Sequence, residues 1–375
     1  MRKFAERITR IFFIVVLFYI FFVSIALMSH SFKCFGSAFS EKLIATTSNP
    51  VVGLFIGLLA TSIIQSSTTT TSMVVGFVAG GVLSIRGAIP IVMGANIGTT
   101  VTCALVALGN ITRKEEFRRA YASSIMHDIF NILTVIIIFP IEMTTRFLER
   151  SAIFLASFLE HSGGFQIISP FKLMVKPAVN FIEGIFINFF NMPLNLAGSF
   201  MLALSFIMLI ISLLFMAKIM KKIVANKAEI IFNKILGRGG LIAILMGCLF
   251  TAMVRSSSIT TAILVPLVGS GVLRIEAAYP IVLGANVGTT VTALLAALTG
   301  NIAGITIALV HLLFNICGLL IFYPFKIIRN IPIFLARSLA KIAAEKKIVA
   351  FAYVIVAFFV IPLVFIYLNN ILKGR

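Results

Sequence analysis

The sequence predicts an all-α polytopic membrane protein built from two inverted-topology repeats, each with a re-entrant helical hairpin and an unwound transmembrane helix. Three observations lead to this fold class. The chain is 60% hydrophobic and only 11% charged, which is far more apolar than a soluble domain. Several apolar runs are about 20 residues long, the length of a helix that crosses a bilayer. One polar, Gly-rich segment occurs twice among these runs.

The repeated segment spans residues 65–102 and again 255–292, without a gap. Roughly 25 of the 44 positions from 65 to 108 are identical to their partners, so the chain contains an internal duplication. Each copy opens with a Ser/Thr cluster and closes with Gly-Ala-Asn-x-Gly-Thr-Thr-Val-Thr. Polar segments of this kind in apolar surroundings indicate interrupted helices rather than simple spans.

The first predicted element, residues 1–49, is an N-terminal transmembrane helix followed by an outer loop. Its apolar run from Ile11 to Met28 follows basic residues, which places the N-terminus in the cytoplasm. A signal peptide also begins with a basic region, but this run is long and lacks an obvious small-residue cleavage site. We therefore interpret it as a retained helix of a multi-pass protein in the cell (inner or plasma) membrane.

The first repeat, residues 50–140, begins with a hairpin at 50–84. The apolar stretch Pro50 to Ile64 would measure about 22 Å as a helix, which is too short for a hydrocarbon core of about 30 Å. It leads into the Ser/Thr cluster and then into a second short apolar piece. Two half-helices that meet at a polar tip form a re-entrant hairpin, which is stable at membrane depth only where it is buried in protein or lines a watery cavity.

The remaining elements follow the same pattern. A broken helix at 88–108 contains glycines that favour unwinding, and a helix at 120–140 completes the repeat. An outer-side connector at 141–193, whose form the sequence does not define, leads to the second repeat at 194–325. Its predicted parts are a helix at 194–216, a hairpin at 240–272, a broken helix at 278–298 and a helix at 302–323, followed by a basic cytoplasmic segment with the last transmembrane helix at 326–375.

The count of membrane crossings determines how the two copies are related. From a cytoplasmic N-terminus, the first hairpin opens to the outside and the second to the inside, so the copies are predicted to be inverted. Inverted repeats with discontinuous helices near the midplane are typical of secondary transporters, and the broken segments mark the binding site.

Other function classes find no support. The sequence has no Walker A, Gly-x-Ser-x-Gly or His-Glu-x-x-His motif, so we expect neither an enzyme nor a cofactor. The net charge of +19 lies between the apolar runs, where basic loops fix membrane orientation. It therefore indicates a membrane-lipid environment and not a nucleic-acid partner.

The hairpin tips carry the candidate anion site. A half-helix that begins at Ser66 or Ser256 directs unpaired N–H groups and a positive dipole end into the membrane centre, which favours an anion. Hydroxyl and carbonyl oxygens also suit sodium, whereas a packing role would explain the same Ser and Thr residues. The tip residues are Gln65, Ser66, Ser67, Thr68, Arg255, Ser256, Ser257 and Ser258.

Arg255 is the main difference between the two tips, since it stands where the first tip has Gln65. A guanidinium can form forked hydrogen bonds to an oxyanion, or its charge can replace a bound cation. The third interpretation is an ion pair with Glu276. The sequence leaves these three open.

Candidate cation ligands lie in the Gly-Ala-Asn segments and in the helix after the first of them. Helix packing through Gly98 and Gly288 is the alternative for those segments. Asp128 is an intramembrane carboxylate and so a sodium ligand or proton carrier, unless it pairs with Arg118 or Arg119 near the interface. The predicted sodium ligands are Asn96, Thr99, Thr100, Asp128, Asn286, Thr289 and Thr290.

Two histidines in the predicted membrane spans share one pattern. His127 and His311 are each followed four residues later by an asparagine, Asn131 and Asn315, which places each pair on one helix face. We expect these pairs to form hydrogen bonds between helices rather than to bind ions.

The motifs QSSTTTT, PIVMGANIGTTVT and FRRAYASSIMHDIFN, with their second-copy counterparts, resemble the type II sodium/phosphate cotransporter family. The resemblance covers about residues 50–140 and 195–365. It implies sodium-coupled uptake of inorganic phosphate by alternating access, with both ions as transported ligands. It also implies that the tips bind phosphate and sodium, that Thr292 lies in a sodium-site segment, and that Asp128 accompanies charge-moving transport.

Several positions depart from the family pattern. Arg255 replaces a Gln, Ala95 and Ala285 fill places that are often Ser, and Asn110 and Arg113 stand where relatives often carry sodium ligands, which leaves the number of sodium ions open. The outer connector lacks the Cys-rich insertion of animal members, so the chain resembles a prokaryotic form. A carrier of another small oxyanion and a non-transporting scaffold are the alternative functions.

Overall fold

A computed structural model describes residues 2–35, 49–159, 170–235 and 239–373. Within these ranges the regular structure is helical, and seven helices are long and apolar enough to cross a membrane. This confirms a polytopic, all-α protein. The seven candidate spans are Ile11–Lys33, Ile85–Leu108, Lys114–Thr145, Leu194–Met220, Ile275–Ala297, Ile302–Phe322 and Lys347–Asn369.

Within the described ranges, a 3-10 turn at Gly98–Thr100 and π-helical turns at Ile185–Phe189 and Val356–Val360 lie between consecutive α-helices. In chain order the helices are α1 (Arg2–Lys33), α2 (Pro50–Ile64), α3 (Ser67–Ala79), α4 (Ile85–Ile97), α5 (Val101–Leu108), α6 (Lys114–Thr145), α7 (Phe147–Leu159), α8 (Pro170–Gly184), α9 (Leu194–Ile235), α10 (Gly240–Val254), α11 (Ser257–Gly269), α12 (Ile275–Ala297), α13 (Ile302–Phe322), α14 (Lys326–Glu345), α15 (Lys347–Ile355) and α16 (Ile361–Lys373).

Two helix pairs are too short to cross a bilayer and break at the predicted tips. Helices α2 and α10 have 15 residues each, and α3 and α11 have 13 each. Gln65 ends α2 with a φ of 56°, and Arg255 ends α10 with a φ of 59°. The next residue, Ser66 or Ser256, has an extended backbone and starts the second helix of its pair. The same local sequence therefore produces the same break twice.

Glycines let the first helix of each pair approach its own Gly-Ala-Asn helix. Helix α2 packs on α4, and α10 packs on α12. A methyl group added at Gly57, Gly94, Gly247 or Gly284 would overlap a backbone carbonyl of the facing helix. These four glycines therefore allow close helix packing in both copies.

The predicted unwinding of a helix in each copy is only half confirmed. In the first copy the 3-10 turn at Gly98–Thr100 interrupts the helix. In the second copy α12 runs without a break through Gly284–Thr290, so the prediction of an unwound helix there is wrong. A methyl at Gly288 would overlap the carbonyl oxygen of Cys248, so this glycine serves close packing. Glycine permits both an interrupted helix and the close packing of an unbroken one.

Several helices are longer than predicted. Helix α6 extends at both ends beyond the predicted 120–140, and α9 continues to Ile235 instead of ending near residue 216. The connector predicted at 141–193 contains α7 and α8. The predicted helix limits lie where the apolar runs end. The actual helices continue beyond these runs into charged turns that water can solvate.

The second helix of each short pair packs against the other copy. Helix α3 contacts α12 and α13, and α11 contacts α5 and α6. Ser67, Thr68 and Ser257 are consequently buried, with at most 6% of each residue exposed. The first residues of these two helices therefore lie inside protein, between the copies, where backbone groups at membrane depth can be accommodated.

Gly94→Ala should destabilise the protein, because the added methyl has no room against α2. Overpacking costs about 1–3 kcal/mol, which exceeds the about 1 kcal/mol that Ala gains over Gly within a helix. Gly184→Ala is the matched control, since its added methyl would approach no atom closer than Asn188 Nδ2 at 3.7 Å. Thermal unfolding in detergent should show a lower Tm for Gly94→Ala only; equal Tm values would contradict the close contact.

Candidate functional site

Each tip begins with a serine that caps its helix. Ser66 Oγ accepts a hydrogen bond from the Thr69 N–H at 3.2 Å, and Ser256 Oγ accepts one from the Ile259 N–H at 3.3 Å. Such a cap satisfies one of the free N–H groups at a helix start. The N–H groups of the first two helical residues still have no acceptor within the helix. The capping hydroxyls are thus partly used, and the backbone supplies the remaining donors.

The first tip contains a small hydroxyl cluster. Ser66 Oγ lies 2.9 Å from Thr68 Oγ1 and accepts a hydrogen bond from Thr69 Oγ1 at 2.8 Å. Gln65 is exposed, whereas Ser67 is buried. Three hydroxyl groups and the helix-start N–H groups therefore converge on one point.

The second tip touches the helix break of the first copy. Ser258 Oγ donates to the carbonyl oxygen of Thr99 at 3.2 Å, and Cys103 Sγ donates to the carbonyl oxygen of Ser258 at 3.6 Å. The 3-10 turn exposes the Thr99 carbonyl to this contact. Two segments that are 159 residues apart in sequence are therefore in direct contact.

A buried polar network crosses from one copy to the other. His127 Nε2 is hydrogen bonded to Asn286 Oδ1, and His311 Nε2 lies 3.3 Å from Asn96 Oδ1. Asn286 Nδ2 donates to Asn131 Oδ1 at 2.7 Å. Each Gly-Ala-Asn asparagine is thus bonded to the histidine of the opposite copy. The predicted hydrogen-bonding role of the histidines is confirmed, and these two asparagines have oxygens already engaged.

The network also reaches the backbone beside the helix break. Asn131 Nδ2 donates to the carbonyl oxygen of Asn96 at 2.9 Å, while Asn96 Nδ2 donates to that of Val92 at 3.1 Å. In the second copy Asn315 Nδ2 donates to the carbonyl oxygen of its own His311 at 3.0 Å. The network is therefore only approximately symmetric, and its extra link lies at the interrupted helix of the first copy.

Asp128 is buried and does not form the ion pair considered from the sequence. Arg118 pairs instead with Glu115 at 2.7 Å, and Arg119 Nε donates to the carbonyl oxygen of Gly269 at 2.9 Å. Tyr353 interacts with the Asp128 carboxylate, but no well-directed hydrogen bond from a described residue reaches either carboxylate oxygen. A carboxyl group in this setting is available to a cation or a proton.

Arg255 is buried, with 4% of the residue exposed, and its guanidinium turns towards α1. The guanidinium carbon lies 4.7 Å and 4.6 Å from the ring centroids of Phe18 and Phe21, within range of cation–π attraction. Nε lies 3.5 Å from Thr292 Oγ1, and Nη1 lies 2.8 Å from the Met216 sulfur. Among the described residues no carboxylate pairs with it and Nη2 has no hydrogen-bond partner.

The ion pair between Arg255 and Glu276 that the sequence allowed is wrong. Glu276 instead forms an ion pair with Arg337 at 2.6 Å. Arg255 ends α10 at the tip, whereas Glu276 lies in the first turn of α12. Those two positions are at different ends of a packed helix pair, so the two charges do not meet.

The remaining predicted sodium ligands differ in how far their hydroxyl groups are already hydrogen bonded. Thr289 Oγ1 is buried without a hydrogen-bond partner among the described residues, and Thr290 Oγ1 donates to the Val287 carbonyl at 2.7 Å. Thr99 Oγ1 donates to the Ala95 carbonyl at 3.3 Å. Only the backbone of Thr100 is among the described parts, so its side chain lies outside them.

Sequence reasoning missed the residues that hold Arg255. Phe18 and Phe21 lie in α1, outside the duplicated segment, and the aromatic content of a membrane helix does not distinguish a cation partner from a lipid-facing ring. The spacing of three residues, which places both rings on one side of the helix, is a signal that could have suggested a shared partner. Met216 had no such signal.

Comparison with known proteins gives a consistent result. A family model described as Na+/Pi-cotransporter matches residues 20–159 and 208–367. "Sodium-dependent phosphate transport protein 2B" of Homo sapiens is 32% identical and aligns with 96% of this chain. "Sodium-dependent phosphate transport protein 2A" of Rattus norvegicus is 30% identical over 92% of the chain. No solved structure matches the chain.

The relatives are longer than this chain. The alignments cover 65% of the length of each of these two relatives. The stretch between the two matched segments, residues 160–207, includes much of the connector predicted at 141–193. The family match therefore falls on the two copies and on the helices that flank them.

Asn131→Ala and Asn286→Ala should show coupled effects on stability, because either change leaves a buried amide of the network unpaired. An unsatisfied buried polar group costs about 1–3 kcal/mol, and residues in one network couple by about 0.5–3 kcal/mol. We expect the loss in free energy of unfolding in the double variant to be smaller than the sum of the losses in the two single variants. The exposed Asn195→Ala is the matched control; strict additivity would contradict the contact.

Proposed function

This chain belongs to the Na+/Pi-cotransporter family, and on that premise we propose that it carries inorganic phosphate across a membrane together with sodium by alternating access. Its relatives are named sodium-dependent phosphate transport proteins. The observation that carries the proposal is the pair of helix starts at the buried residues Ser67 and Ser257, each on a helix packed against the other copy. These supply uncharged donors for an oxyanion inside the membrane.

We also propose that the two copies are inverted and that their short helix pairs are re-entrant. The open end of the first pair is tied to the end of the chain, since Asn49 Nδ2 donates to Asn369 Oδ1 at 2.8 Å. The open end of the second pair is tied to the start of α6, through the bond from Arg119 to Gly269. These are different ends of the helical bundle, which supports opposite directions of entry from the two faces.

The proposed phosphate site lies between the tips. Its donors are the free N–H groups at the starts of α3 and α11 and the side chains of Ser67, Thr68, Ser257 and Ser258. Gln65 and Arg255 occupy equivalent left-handed positions and differ in charge. Neutral donors hold an anion without the cost of a buried fixed charge, and sodium then balances the charge of phosphate.

The proposed sodium ligands are of two kinds. Asp128 and Thr289 have oxygens without a hydrogen-bond partner among the described residues, and Asp128 adds a negative charge, so these two are the strongest candidates. The others hold internal hydrogen bonds that would have to be exchanged for an ion or lie beside Arg255. They are Asn96, Thr99, Asn286, Thr290 and Thr292. Thr100 is a further proposed ligand, and its side chain lies outside the described parts.

Arg255 is proposed to supply a fixed positive charge near the second tip in place of a bound cation. Its surroundings support this, because aromatic faces and a thioether hold the guanidinium in position without neutralising it. A forked bond to phosphate would require the side chain to leave these rings. The fixed-charge interpretation needs no such movement.

Uptake of labelled phosphate into proteoliposomes tests the transport proposal. An inward sodium gradient should drive accumulation well above that driven by an equal potassium gradient, because sodium binding is coupled to phosphate movement. Excess arsenate or sulfate identifies a carrier of another oxyanion if it competes better than unlabelled phosphate. Equal uptake with sodium and potassium would refute the coupling.

Variants connect that uptake to the site. Ser67→Ala and Asp128→Asn should each lower sodium-driven uptake, the first by removing a tip hydroxyl and the second by removing a cation ligand. Ser199→Ala, at an exposed position of α9, should leave uptake unchanged. Wild-type uptake by both site variants would remove these residues from the proposal.

Arg255→Gln should raise the sodium concentration that gives half-maximal uptake, because an added sodium ion must then supply the missing charge. Coupling between sites is typically about 1–3 kcal/mol, or about 5–150-fold, so a shift of about fivefold or more is expected. Arg255→Lys keeps the charge and should shift the value less. An Arg255→Gln variant with the wild-type sodium dependence would contradict the fixed-charge role.

A further inference from the structure

A basic groove lies at one end of the helical bundle, away from the tips. Helix α14 packs on α6 and faces the turn between α11 and α12, and two cavities of about 680 and 860 Å³ lie along it. Both cavities are lined by Leu273, Glu276, Phe334 and Arg337. They are therefore two parts of one groove, which the ion pair between Arg337 and Glu276 divides. We call it the basic groove.

Cations outnumber carboxylates in this groove. The larger cavity is lined by one carboxylate, that of Glu276, and by the five cations Arg118, Arg119, Arg274, Arg337 and Lys341. Arg118 and Arg337 have carboxylate partners. Within the described ranges no ion pair balances the other three. A partly enclosed cavity with unbalanced positive charge favours an anion.

The groove is not a by-product of the duplication. Ser84 is the first-copy counterpart of Arg274, and its side chain caps α4 by accepting a hydrogen bond from the Gly87 N–H at 3.0 Å. In the second copy the equivalent position carries Arg274, whose side chain forms no cap to α12. The helix cap of the first copy is thus replaced by a cation that lines the cavity.

Apolar residues surround the same cations. Helix α14 is amphipathic, and its Ile327 and Phe334 are 84% and 67% exposed. Phe334 lines both cavities. A basic helix with exposed apolar side chains lies in the interface of a membrane, where it meets headgroups and acyl chains together. Free phosphate would satisfy the cations but would leave these apolar side chains uncovered.

We propose that the basic groove binds the phosphate group of an anionic phospholipid. Arg119, Arg274 and Lys341 contact the phosphate, and Phe334 contacts an acyl chain. Arginine suits this role because its planar fork pairs with phosphate oxygens. The site is separate from the transport proposal and does not depend on it.

Calorimetric titration of the purified full chain in a neutral detergent tests this assignment. The probes are dioctanoyl phosphatidylglycerol, dioctanoyl phosphatidylcholine and inorganic phosphate. We expect phosphatidylglycerol to bind at least tenfold more tightly than phosphatidylcholine. Each basic side chain near an anionic surface contributes about 1 kcal/mol, or about fivefold, so the variant Arg274→Gln/Lys341→Gln should bind phosphatidylglycerol about 25-fold more weakly.

Two further variants exclude an effect of misfolding. Lys346→Gln/Lys347→Gln removes the same charge at exposed residues outside the groove lining and should change the affinity less than twofold. Glu276→Gln removes the one lining carboxylate and should tighten binding about fivefold, a gain that a damaged protein would not show.

Other results would overturn the proposal. Equal affinity for the two lipids, or unchanged affinity in Arg274→Gln/Lys341→Gln, would contradict an anionic lipid site. Binding of inorganic phosphate alone, lost in that same variant, would assign the groove to the free ion and overturn the lipid assignment. If Arg274→Gln/Lys341→Gln still binds inorganic phosphate, that phosphate binds elsewhere in the protein. If phosphatidylglycerol does not bind in that case, the lipid proposal is also overturned.

Discussion

Polar backbone groups inside a bilayer must form their hydrogen bonds within the protein. This requirement is strongest at the two helix breaks, residues 65–67 and 255–257. Each break leaves helix ends that water or lipid would otherwise meet. The serine caps satisfy one N–H group each, and burial between the copies keeps the rest away from lipid. The free N–H groups that remain are the part of the structure that an anion can use.

The packing of the helices follows from that demand. Close contact through glycines brings the first helix of each short pair against its own Gly-Ala-Asn helix, and this directs the second helix towards the other copy. Hydrogen bonds among the histidine and asparagine side chains then join the two copies. A transporter needs such contacts to be exchangeable, and hydrogen bonds in a membrane protein contribute only about 1 kcal/mol each.

Charge is distributed in two different ways. Within the described part of the bundle, the buried Arg255 is held by aromatic rings rather than by an acid, and we propose that its charge serves the transport site. At one end of the bundle five cations line the larger cavity of the basic groove, where we propose that an anionic lipid supplies the balancing charge. On these proposals the net charge of +19 serves both membrane orientation and a specific lipid site.

Much of the fold was predictable because repetition and hydropathy are local properties. The breaks at Gln65 and Arg255 follow from a Ser/Thr cluster between short apolar runs, and the structure has both. The outcome at Gly288 was not predictable, because both Gly98 and Gly288 pack closely on the facing helix, yet only the helix of the first copy is interrupted. The partners of Arg255 and of Asn286 lie on other helices; the spacing of Phe18 and Phe21 suggests a shared partner but does not identify which residue of another helix it is.

The central claim is that both helix starts serve one phosphate site. Cysteine substitution at Ser66 and at Ser256, in a background without the four native cysteines, tests it through the rate of modification by a small thiol reagent. Phosphate with sodium should slow the modification of both positions, with the same half-effective phosphate concentration. Protection of only one position, or different half-effective concentrations for the two, would contradict a shared site.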